Sequence, residues 1–138
     1  GKKTPQLGLE GKFSVYHAVA VAIVEGAGGE KQFSDRAVTD PVIVALRSRV
    51  YPVVTAGIKP EQVDLTITLK DGRKLHKHID HAIGSLEKPM SDADLERKFS
   101  DLAEGILPAP QIRKVMDLCW GVEKLDNVAE IVQAGVVA

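Results

Sequence analysis

Cysteine is nearly missing from this chain: Cys119 stands alone among 138 residues. That excludes an internal disulfide and a cysteine cluster for structural zinc. Long apolar runs are missing too. The best candidate, Ala18 to Val24, is ended by Glu25 and the glycines after it, well short of the roughly 18 to 20 residues needed to span a bilayer. Charge of one sign is not in excess, because 18 basic and 19 acidic side chains leave a formal charge of -1 without a basic block or an acidic tail. Net electrostatics therefore imply neither nucleic acid nor an anionic membrane as a partner. Gly26, Gly28 and Gly29 form neither the dinucleotide fingerprint nor the Walker phosphate loop, so nucleotide binding has no warrant. Gly1 to Glu10 has no initiator methionine and no apolar signal core, a pattern expected of an excised domain or a shortened product.

What is present suffices for a core. With 44% hydrophobic residues, the expectation is one soluble, cytoplasmic domain over residues 1–138. Ser14 is a candidate cap for an apolar helix ending at Gly26 and expected to be buried on more than one side. Gln32 to Val38 reads as a short helical segment. Asp40 and Pro41 open a helix reaching Val50, and Tyr51 to Thr55 reads as an edge strand or an extended link. Val63, Leu65, Ile67 and Leu69 alternate with polar residues, and Asp71-Gly72 predicts a two-residue hairpin turn. Helices are then expected over Asp94 to Gly105, Ile112 to Gly121 and Asn127 to Ala134. Helices, a hairpin and further helices in that order predict an α+β fold of two layers, the sheet packed against several helices.

Lys12, Tyr16 and His17 bring a cation, a phenol and an imidazole to a helix start, where exposed amides favour an anion. They suit one carboxylate-bearing ligand, with His17 or Tyr16 handling a proton. The competing reading has Tyr16 packing at a rim and His17 filling a polar gap. His76 and His78 share a strand face, but His81 has the opposite parity, and two aligned imidazoles fall short of the three or four ligands zinc takes. A solvated strand face interleaved with Lys74 and Asp80 is expected, with no metal. Cys119, beside Trp120 in an apolar stretch, reads as an inert core thiol.

The order of these signatures resembles the smaller, C-terminal domain of the MmgE/PrpD family, which includes 2-methylcitrate dehydratase, cis-aconitate decarboxylase and iminodisuccinate epimerase. Lys12-Phe13-Ser14 leading through Tyr16-His17 to the alanine- and valine-rich helix and Gly26 carries the likeness. So do Phe33, Asp40-Pro41, the Asp71-Gly72 hairpin, Gly84 with Pro89, and Lys98-Phe99. The resemblance implies a lid that closes over a small di- or tricarboxylate against a large N-terminal helical domain, without a cofactor. It implies a fragment of a lyase or isomerase, inactive without the large domain, and a possible homodimer. A family position often held by tyrosine matches His17, with Tyr16 one residue earlier. His17 and Tyr16 are accordingly the catalytic candidates, and Lys12 and Ser14 the substrate-binding ones. The family's lysine near the start of this domain has no counterpart in Gly1 to Glu10, and Lys12 does not inherit its role. The alternative is a noncatalytic docking or dimerisation domain.

Overall fold

A computed structural model describes residues 2–137. The chain forms two compact units, one running to Val54 and the other starting at Thr55. Among the described residues there are seven α-helices and one two-stranded antiparallel sheet, so the fold is α+β. Among the described residues no helix is long and apolar enough to cross a membrane.

The first unit is helical. Helix α1 (Gly8–Lys12) leads into α2 (Val15–Glu25), which starts where the Ser14 side chain accepts the His17 N–H. It stops at Gly26, whose φ of 68° lies in the left-handed region and whose N–H returns to the Ala22 carbonyl. A 3-10 turn (Glu30–Phe33) then precedes α3 (Asp35–Thr39), capped by Ser34. Helix α4 (Pro41–Arg47) opens with Asp40 accepting from the amides of Val42 and Ile43 at 2.8 and 3.2 Å. Pro41 costs nothing there, because the first helical N–H has no partner within the helix.

Ala20 and Val21 from α2, Ala37 from α3 and Ile43 from α4 make the core of this unit, with Leu46 packed against it. Small side chains on α2 let α4 approach closely. The expected burial of α2 on more than one side is not found: Val15, Ile23 and Val24 are exposed. The stripe formed by His17, Ala20 and Val21 is covered, since α4 packs along one flank of α2. Tyr51 to Val54 form no strand.

In the second unit β1 (Val63–Thr68) pairs with β2 (Lys74–Ile79), Thr66 opposite His76 and Asp64 opposite His78. Leu69 N–H reaches the Arg73 carbonyl at 2.8 Å, so the loop holds three residues, Lys70, Asp71 and Gly72, rather than two. Gly72 takes φ 85°, the left-handed position closing a type I turn plus bulge. Helix α5 (Asp92–Ala103) is capped by Ser91, and α6 (Ala109–Trp120) carries Pro110 in its first turn. Helix α7 (Ala129–Ala134) packs on α6. Ala103, Ile112, Val115 and Ala134 are buried here. Cys119 is exposed, so the expectation of a core thiol is corrected: it shares the helix face of Ile112 and Val115, but it lies in the last turn of α6, one turn beyond the buried Val115.

Candidate functional site

The turn between α1 and α2 positions the predicted side chains, and it separates them. His17 and Ser14 go inside; Tyr16 and Lys12 stay at the surface. The spacing of three between Ser14 and His17 sets the capping bond, in which Ser14 Oγ accepts the His17 amide at 3.1 Å. The same hydroxyl donates to the Lys2 carbonyl, tying the start of the chain to the helix. Both the donor and an acceptor site of Ser14 are thus used within the fold, and its side chain is buried.

His17 is fully enclosed. Its Nε2 lies 2.8 Å from the Gln32 carbonyl oxygen. A carbonyl only accepts, so Nε2 carries the hydrogen that Gln32 receives. The His17 Nδ1 has no partner, the sole fully buried side-chain nitrogen or oxygen so left among the described residues. The ring also stands edge-on to Phe33, with centroids 5.4 Å apart. His17 therefore pins the 3-10 turn onto α2 through one hydrogen bond and one aromatic contact. Gln32 and Phe33 were missed as its partners; Phe33 entered only as a family signature, and nothing in their spacing marks them.

Tyr16, one residue earlier, is half-buried, and the Lys3 ammonium lies 5.9 Å from its ring centroid. Lys12 is committed to Glu30, with its Nζ 3.0 and 2.9 Å from the two carboxylate oxygens. This pair is exposed, so its net contribution is small, about 1 kcal/mol or less. Glu30 was not foreseen.

The histidines of the hairpin are organised by carboxylates. His78 Nδ1 meets Asp64 Oδ1 at 2.8 Å, and His78 Nε2 meets Asp80 Oδ1 at 3.1 Å. Carboxylates accept, so the protonated ring donates from both nitrogens at once, one to each aspartate. Hydrogen bonds to Asp64 first and Asp80 second raise its pKa. His76 Nε2 lies 3.3 Å from Asp64 Oδ1, and its Nδ1 faces the Thr66 hydroxyl at 3.1 Å. His81 turns instead toward Glu87, 3.7 Å away. Among the described residues no group of three or more histidine, cysteine, aspartate or glutamate side chains is arranged to hold a metal ion.

With the capped Lys-Phe-Ser turn, the glycine-ended helix and the hairpin in place, the chain was compared with known proteins. The family model of the MmgE/PrpD C-terminal domain matches residues 1–122. The chain belongs to the MmgE/PrpD family. The match includes the entire Ser14 to His17 turn, the 3-10 turn that anchors it, the hairpin and all of α6, and it ends before α7. A search of curated proteins finds no match. Within this MmgE/PrpD domain, the candidate site is a surface phenol and lysines outside a buried serine and histidine.

Proposed function

We propose that this MmgE/PrpD domain is the lid and substrate-binding part of a cofactor-independent lyase or isomerase acting on a small di- or tricarboxylate, completed by a large N-terminal helical domain. Its polar contribution to the closed site is the phenol of Tyr16, held by the packing of His17 and Ser14 behind it. The observation that carries this reading is the opposite disposition of neighbours: His17 is enclosed with Nε2 committed to Gln32, while Tyr16 stays half-buried with the Lys3 cation against its ring. A phenol beside a cation suits a carboxylate and can deliver a proton to a carbon or oxygen next to it. His17 is then a positioning residue, and Lys12 reaches a substrate only by leaving Glu30. Alone, the chain is expected to have no useful turnover.

The test is made in the longer protein that carries this domain. Turnover of a panel of branched and unsaturated di- and tricarboxylates is followed by NMR, with Tyr16→Phe as the variant. A kcat loss on the order of 10²-fold with an unchanged denaturation midpoint is expected. Unchanged turnover in Tyr16→Phe would remove Tyr16 from the mechanism.

A second reading has one observation in its favour. Leu9 and Phe13, one helical turn apart, are both 68% exposed, as are apolar Leu7 and Val15 to lesser degrees. Such an apolar strip fits a docking or dimerisation surface. Sedimentation of the chain over a concentration series separates a defined dimer from nonspecific association.

A further inference from the structure

Helices α6 and α7 border an open-sided cavity of about 200 Å³, lined by Lys114 and Leu118 from α6 and by Glu130, Gln133 and Ala134 from α7. The spacings account for the lining. Residues 114 and 118 lie one turn apart on α6, while 130, 133 and 134 share a face of α7, so each helix presents one stripe to the gap. Gln111, a turn before Lys114, holds the two walls together. Its Nε2 donates to the Ala134 and Val136 carbonyls, each at 2.7 Å, and ties the end of α7 to the start of α6.

The charges on this cavity are unmatched. Lys114 and Glu130 are both exposed and line the same space, yet neither side chain has a hydrogen bond or an ion pair with another described residue. The other cation of the same turn behaves differently. Arg113 meets Asp117 at 2.6 Å and Glu96 at 3.4 Å, which engages the one carboxylate of α6 within a turn of Lys114. Half-buried Leu118 and buried Ala134 give the cavity an apolar patch, and Gln133 adds an amide that both donates and accepts.

We propose that the cavity between α6 and α7 binds a small amino acid as its zwitterion, the carboxylate at Lys114 Nζ and the ammonium at Glu130, with the carbon chain against Leu118 and Ala134. A simple ion answers only one of the two side chains. A molecule carrying both charges answers both and loses its translational freedom once. Exposed ion pairs are weak one at a time, so binding requires the two contacts together. One wall comes from α7, beyond the matched residues 1–122, and the site lies wholly within the second unit, so it does not rest on the reading given to Tyr16.

The 138-residue chain is titrated with L-alanine, 4-aminobutyrate and 6-aminohexanoate at constant ionic strength, which spans three separations of the two charges. The side-chain amide resonances of Gln133 and the methyl resonances of Leu118 and Ala134 are followed by NMR. Saturable shifts confined to these groups are expected with at least one of the three, and its separation of charges identifies the class of amino acid. Butyrate and butylamine, which keep one charge each, should bind at least tenfold more weakly. Lys114→Met and Glu130→Gln should each weaken binding at least tenfold with an unchanged denaturation midpoint, since both side chains are exposed. Arg113→Gln, which removes a cation from the same helix outside the cavity, should bind as the wild type does. Failure of all three amino acids to saturate the wild-type signals, equal binding of butyrate or butylamine, or undiminished binding in either Lys114→Met or Glu130→Gln would overturn the proposal.

Discussion

Gly11 lies so close to the His17 ring that a Cβ at position 11 would stand 3.2 Å from His17 Cδ2, and only 2.6 Å from Val38 Cγ2. The end of α1 is thus packed backbone-first onto the buried histidine. Gly11→Ala is expected to destabilise the chain by about 1–3 kcal/mol through overpacking. Urea denaturation measures this, and Val38→Ala in the same chain should recover part of the loss by removing the methyl that clashes. Simple additivity of the two substitutions would show that the contact is not shared.

His17 itself contributes packing and one hydrogen bond. Truncation to alanine leaves a cavity beside Phe33 and strips the Gln32 carbonyl of its donor, for a loss of about 3–5 kcal/mol. Phenylalanine keeps the ring contact and removes the unpartnered Nδ1, so His17→Phe should cost less than half as much. Equal losses in equilibrium unfolding of the two variants would mean that the hydrogen bond, not the packing, dominates.

The hairpin carries a pH dependence whose sign follows from its partners. The His78 pKa is raised, by hydrogen bonds to Asp64 and then Asp80. Its contribution is therefore full below the unfolded value of about 6.5 and is lost as pH rises through the folded value. Asp80 is shifted down, chiefly by the hydrogen bond from His78. Its contribution is present above about 3.9 and fades as pH falls through the folded value. The Asp64, His78 and Asp80 group should thus hold β1 to β2 best between those limits. NMR titration of the imidazole resonances, with amide exchange across the strands, checks this. Asp64→Asn should bring the His78 midpoint down toward the ordinary value, and an unmoved midpoint would contradict the assignment of Asp64 as the main cause.

Trp120 reports on the packing of α5 against α6, because its indole Nε1–H donates to Glu96 Oε1 at 2.9 Å, while Arg113 lies 3.4 Å from Glu96 Oε2. Glu96→Ala should red-shift the emission of this single tryptophan and cost about 1 kcal/mol or less, since the side chains are partly exposed. A larger loss by denaturation would show that the bond organises the helix pair.

Local features were legible from neighbouring residues. Ser14 before an apolar run, Asp40 before Pro41, and glycine at a helix end each act within one helical turn, and each cap lies at the expected residue. The alternation from Val63 to Leu69 determined the face of β1, and the family likeness rested on the same local signatures. The hairpin loop came out one residue longer because Gly72 supplies the left-handed residue after the turn, which the Asp-Gly pair does not distinguish. Helix ends were overextended, as at Val50, because apolar periodicity continues beyond Arg47 where α4 has ended.

Sequence alone therefore determined the α+β class, the helix caps, the hairpin and the family, all of which follow from short-range patterning. Tertiary structure decided which side chains are available. Tyr16 and His17 are adjacent in the chain and about 100° apart on a helix, so what packs against α2 sends one to the surface and encloses the other. The bond from His17 to Gln32, the pairing of Lys12 with Glu30 and the bond from Arg47 to the Val38 carbonyl are contacts 15, 18 and 9 residues apart. No local pattern encodes such contacts, because they exist only once the helices are packed.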